Sequence, residues 1–147
     1  MNSIVIISAL EQQLACYRKL ARLAEAQREH VQHSHVEALL EVLRNRQTIL
    51  DQLAELESVI RPAKARWQEF LDEIEPESRS RAEQLLAETR KLLEQIMASD
   101  RTDALALEQR KLNLGRQIKL ASGARQINRN YAAAAYGKPA SRMDISQ

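Results

Sequence analysis

The nine residues EHVQHSHVE, 29–37, hold all three histidines of the chain, and their reading decides the fold. Three imidazoles within six residues suggest a metal site, and Glu29 and Glu37 would supply carboxylate ligands. The flanking pattern says otherwise. Ile7, Leu10, Leu14, Tyr17, Ala21 and Ala24 recur in steps of three and four, forming one stripe of a helix that reaches about Val31. Leu39, Val42, Ile49, Leu53, Leu56 and Ile60 form a second stripe, widened by Leu40, Leu43 and Leu50. Counted in sevens from Ile7, the first frame predicts a seam position at His35, whereas the second run is in phase with Leu39. Four residues are inserted, and the slip falls on the histidines.

Ser34-His35-Val36-Glu37 has the spacing of a capping box, in which a serine hydroxyl and a glutamate satisfy the free N–H groups of a helix start. This predicts that one helix ends near Gln32 and the next runs from His35 to Ile60, folded back as an antiparallel neighbour. His30 and His33 share a helical face, but His35 lies past the break, and no cysteine supports them. A zinc site needs three or four converging ligands. The histidines are therefore expected to cover a polar hairpin tip, with no metal.

Composition agrees with an all-α chain. Apolar residues make up 44% of 147, aromatics number five, and Gly and Pro three each. Leu, Ala, Glu, Gln, Arg and Lys, which lose least on entering a helix, dominate. Cys16 is alone, which excludes an intrachain disulfide and fits a reducing compartment; it is expected to be an ordinary buried or half-buried residue. SIVII, 3–7, is too short and lacks the basic lead of a secretion signal. No run approaches a transmembrane length. A cytoplasmic protein with no membrane insertion is the expectation.

After Ile60, Pro62 allows either a fresh helix start or a kink. Trp67, Phe70, Leu71 and Ile74 follow at helical spacing as a core plug. Pro76 and ESRSR, 77–81, read as a second break, with Ser80-x-x-Glu83 as another capping box. From there a long C-terminal helix runs through Leu85, Leu86, Leu92, Leu93, Ile96 and Met97 to about Ala121, with Asp100 and Asp103 as a weak point. The expected fold is an antiparallel helical hairpin and coiled-coil bundle of three to four helices. It forms a single all-helical domain over 1–147, with a flexible tail from about 132.

No glycine-rich phosphate loop, no paired catalytic carboxylates and no nucleophile with a base appears, so no catalytic residue and no cofactor is assigned. Net charge is +2, unevenly placed. Residues 105–147 carry eight Lys and Arg against two acids, a charge of +6, which leaves −4 on residues 1–104. The positive charges are scattered, which favours a solvated surface or a patch for a protein partner over nucleic acid.

The informative stretch is ALALEQRKLNLGRQIKLASGARQINRNYAAAAYG, 104–137. At about 100° per residue, Leu105, Leu112, Leu120, Ile127 and Tyr131 fall on one side of a helix, with Arg116 interrupting them. Leu107, Leu114, Ile118 and Ala121 fall nearly opposite. One stripe suffices to dock on the preceding helices, and a second needs another partner. Gly115 and Gly123 weaken the segment, each by roughly 1 kcal/mol relative to Ala. A bifacial helix of low intrinsic stability suits a binding surface.

LACYRKLARLAEAQREHVQHSHVEALLEVLRNRQTILDQLAELE, 14–57, resembles the N-terminal half of the FlgN-family flagellar export chaperones, with a leucine-rich helix, a short polar break and a second leucine-patterned helix. DRTDALALEQRKLNLGRQIKLASGARQINRNYAAAAYG, 100–137, resembles their C-terminal half. Residues 62–79 depart from the family pattern. The resemblance implies a chaperone that binds hook-associated (hook–filament junction) proteins and delivers them to the flagellar type III export gate. It implies that Leu105, Leu107, Leu112, Leu114, Ile118, Leu120 and Ile127 form the cargo-binding region, and that Tyr131 and Tyr136 dock at the gate. The alternatives from other classes are a structural coiled-coil homodimer or scaffold, and a helical nucleic-acid binder using the basic tail.

Overall fold

The computed structural model describes residues 2–118, with the backbone alone at 114, 117 and 118. Among the described residues it is all-α. Four helices are present, α1 (Ser3–Gln32), α2 (Val36–Ala65), α3 (Trp67–Asp72) and α4 (Pro76–Ile118), and there is no strand. Asn2 starts α1: its side-chain oxygen accepts from the N–H groups of Ile4 (3.0 Å) and Val5 (3.3 Å), satisfying two donors of the first turn.

The break between α1 and α2 falls where the frame slip put it, but the chemistry is different. Ser34 has φ 57°, a left-handed conformation incompatible with the extended backbone of an N-cap. His35 N–H donates to the His30 carbonyl (2.9 Å) and Ser34 N–H to that of Val31 (3.4 Å). These are the two bonds of a Schellman motif, so Ser34 closes α1 and does not open α2. The Ser34–Glu37 capping box is not formed. A hydrophobic pair commonly spans the two positions that His30 and His35 occupy in this motif; here their rings lie 5.7 Å apart. A non-glycine residue in this conformation is strained by about 1 kcal/mol. Ser34→Gly should therefore be about 1 kcal/mol more stable than Ser34→Ala in urea melts; equal stability would show that position 34 does not hold the left-handed turn.

Pro62 neither starts nor ends a helix: α2 runs through it to Ala65. A proline in a helix interior costs about 3 kcal/mol, and burial of Ile60 and Ala63 on either side holds the helix through it. The break comes at Arg66, before the short α3. α4 begins at Pro76, not Ser80. Proline at the first helical position loses no bond, and Arg79 N–H donates to the Glu75 carbonyl (2.8 Å). The second capping box is therefore absent as well, since Ser80 lies a turn inside the helix. The Arg79 guanidinium turns back to the carbonyls of Leu71 (2.9 Å) and Ile74 (3.2 Å), satisfying acceptors at the end of α3. α4 is unbroken at Asp100 and Asp103.

Contacts divide the chain into two compact units. The first joins α1 as far as Arg22 to Arg46–Ile96. Its core gathers Ile6, Leu10 and Leu14 from α1, Ile60 and Ala63 from α2, Phe70 and Leu71 from α3, and Ala82 and Leu85 from α4. Trp67 stacks on Phe70 at 5.4 Å. The pairs Gln13–Glu57 and Cys16–Gln52 run α2 antiparallel to α1, and Glu11–Arg81 and Arg18–Glu88 run α4 parallel to it. Cys16 is buried, as the burial habit of a free cysteine predicts.

The second unit joins Leu23–Asn45 to the α4 residues from Met97 on. Among the described residues, Val31, Leu39 and Leu107 form a buried apolar cluster, with Val36, Leu43 and Ala106 packed against them. Polar contacts lie beside it. Asp103 accepts from Gln27 Nε2 (3.0 Å), and Arg28 donates to Ser99 Oγ (3.4 Å) with its Nε 3.7 Å from Asp103. Seven residues beyond Asp103, Arg110 donates to the Ser34 hydroxyl and the Gln32 carbonyl.

Candidate functional site: the outer face of the C-terminal helix

Within the second unit, one side of α4 is committed to packing. Leu107 is 5% exposed and Asp103, one turn earlier on the same side, 3%. On the other side, among the described residues, two leucines are exposed. Leu105 is 73% exposed and Leu112 51%. They stand seven residues apart, two turns along the same side of the helix. The two stripes read in the sequence thus have different fates wherever side chains are described. Leu107 lies in the core with Val31 and Leu39, and Leu105 and Leu112 face solvent. The side chains of Leu114 and Ile118, and all of Leu120, Ile127, Tyr131, Tyr136 and the tail from 132, lie outside the described residues.

A β-carbon added to Gly115 would meet nothing within 4 Å. Gly115→Ala should thus raise helicity and stabilise α4 by up to about 1 kcal/mol, read by circular dichroism and melting. A loss of stability would show that the helix is not regular there.

Asp103 is the residue that periodicity missed. Burial pushes its carboxyl above the usual aspartate range, against the Gln27 hydrogen bond and the Arg28 charge, which pull it down; Asp100 adds a smaller upward push. The folded chain then binds this proton more tightly than the unfolded chain. The contribution of Asp103 to stability is largest where the carboxyl is protonated in both states, and it falls as pH rises from the ordinary aspartate value to the raised one. Asp103→Asn keeps an acceptor for Gln27 and removes the titration. Urea midpoints of wild type and variant, compared from the ordinary aspartate value up to neutral pH, should show wild type losing ground as pH rises. A difference independent of pH would exclude this linkage.

The histidines pair with one another instead of converging. His33 and His35 stack at 5.6 Å, and the His33 ring nitrogen Nδ1 lies 2.9 Å from the Glu29 carbonyl, which can only accept. Among the described residues no group of three or more His, Cys, Asp or Glu is placed to hold a metal ion. No described helix is long and apolar enough to cross a membrane.

In comparisons with known proteins, the FlgN protein family matches residues 1–138. No curated protein and no solved structure matches. The family is one of chaperones, not a known family of enzymes.

Proposed function

The chain belongs to the FlgN family of flagellar export chaperones, and from that premise we propose that it binds hook-associated (hook–filament junction) proteins and hands them to the flagellar type III export gate. One observation carries the reading: Leu105 and Leu112 stand exposed on the side of α4 that faces away from Leu107 and Asp103. Burying a leucine contributes about 1.5–3 kcal/mol, so two held at helical spacing are ready anchors for an amphipathic helix. The cargo region implied by the family continues through Leu114, Ile118, Leu120 and Ile127, which lie outside the described side chains. Tyr131 and Tyr136 dock at the gate, and the work is done in the cytoplasm without cofactor, metal or catalysis.

The test is capture of purified hook-junction proteins by the full-length chain and by a Leu105→Ser, Leu112→Ser variant. Capture should be lost in the variant; undiminished capture would sink the reading. Tyr131→Ala with Tyr136→Ala should keep capture and lose export.

A further inference from the structure

The charges around the two leucines have an order of their own. Arg101, Leu105, Glu108, Leu112 and Arg116 are all exposed and follow one another in steps of four, three, four and four. At about 100° per residue they stay within roughly 80° of arc, with Arg101 and Arg116 about 22 Å apart along the axis. Some exposed charges elsewhere on the chain pair with each other, as Arg18 does with Glu88 and Arg81 with Glu11. Among the described residues, Arg101 and Arg116 meet no carboxylate and Glu108 meets no cation; Arg116 reaches only Asn113 Oδ1, at 3.5 Å.

The order arginine, leucine, glutamate, leucine, arginine is the same from either end. A second copy laid on this ridge in register, parallel or antiparallel, would set arginine against arginine and glutamate against glutamate. Like charges opposite one another select against a partner. Sliding the copy by one turn sets leucine against arginine and loses the apolar contact, and sliding it by two turns pairs arginine with glutamate but keeps only one leucine contact. The ridge is therefore matched over its whole length only by a different helix carrying the inverse order.

The geometry points to a partner segment with two carboxylates about four turns apart, bracketing two apolar anchors, and a Lys or Arg between them. This deepens the cargo reading above and rests on it. The excess positive charge of residues 105–147 adds attraction at long range, so association is steered by charge and anchored by the leucines.

Two synthetic helical peptides serve as probes. One contains Glu-x3-Leu-x2-Lys-x3-Leu-x3-Glu, and the other has every Glu and Lys exchanged. Binding to the full-length chain is followed by fluorescence anisotropy at about 50 mM and about 500 mM salt, which shortens the reach of exposed charges severalfold. The acid-flanked peptide should bind about tenfold tighter at low salt, with most of the preference lost at high salt. The exposed-site variant Arg101→Glu with Arg116→Glu should invert the preference. Equal affinity for both peptides, including no binding by either, overturns the inference, as does an unchanged preference in the charge-reversed variant. The cargo reading has its own readout. If Leu105→Ser with Leu112→Ser loses hook-junction proteins while the peptides bind alike, only the charge order is wrong; if that variant still captures cargo, the face itself is wrong and the inference falls with it.

Discussion

Replacing Leu105 and Leu112 together with serine is expected to weaken the cargo complex by roughly 2–4 kcal/mol, the scale of a truncated hot spot. The free chain should melt within about 0.5 kcal/mol of wild type, as surface substitutions do. The asymmetry follows from exposure. At 73% and 51% exposed, neither side chain contributes much packing to the fold, so its apolar surface is free to be buried by a partner. Leu107→Ser is the control from the opposite side. Leu107 lies against Val31 and Leu39, and its truncation leaves a cavity beside them and buries a hydroxyl, at a cost of about 2–5 kcal/mol in stability. Urea melts and calorimetric titration on the same preparations separate the cases. A double variant that unfolds would make Leu105 and Leu112 core residues, contrary to their exposure. A folded double variant that binds cargo normally would place the binding surface elsewhere.

The sequence located the hairpin because a change of heptad frame records a physical insertion. It could not assign the cap. Ser34 and Glu37 have the spacing of a box that opens a helix, but the same serine in a left-handed conformation closes the one before, and composition is silent on the sign of φ. The start of α4 was misplaced for a related reason: Pro76 reads as a breaker unless it is recognised as the first helical residue, and Arg79 as loop unless its carbonyl partners are seen. Pro62 was left open because only the burial of Ile60 and Ala63 decides it. The choice between the stripes of α4 was illegible in principle. Leu105 and Leu107 are chemically identical, and the difference lies in Val31 and Leu39, brought in from the hairpin. Asp103 reads as no more than a weak point of the helix until Gln27, 76 residues earlier, is placed against it. Arg116, an interruption when only leucines are counted, belongs to the exposed ridge once its neighbours are known.

Truncating Phe70 to alanine should cost the first unit about 3–5 kcal/mol, a large share of the roughly 5–15 kcal/mol that holds a domain folded. Phe70 is 1% exposed and, among the described residues, is the largest of the fully buried side chains. It stacks on Trp67 and sits among Leu10, Ile60 and Leu85, from three different helices, so no single neighbour can move in to refill the space. Phe70→Leu keeps much of that volume and should lose less. Trp67 is the only tryptophan, and its fluorescence in a urea titration reports on this core directly. The cluster contains neither Leu105 nor Leu112. At a temperature where Phe70→Ala remains folded, its cargo affinity should therefore stay within about twofold of wild type, because local stability is not uniform along a chain. A loss below about 1 kcal/mol would mean that the aromatic corner collapses without strain and is not the keystone its burial indicates. A large loss of cargo affinity in a chain still folded would mean that the cargo surface includes the first unit, and the assignment to the outer face of α4 would have to be widened.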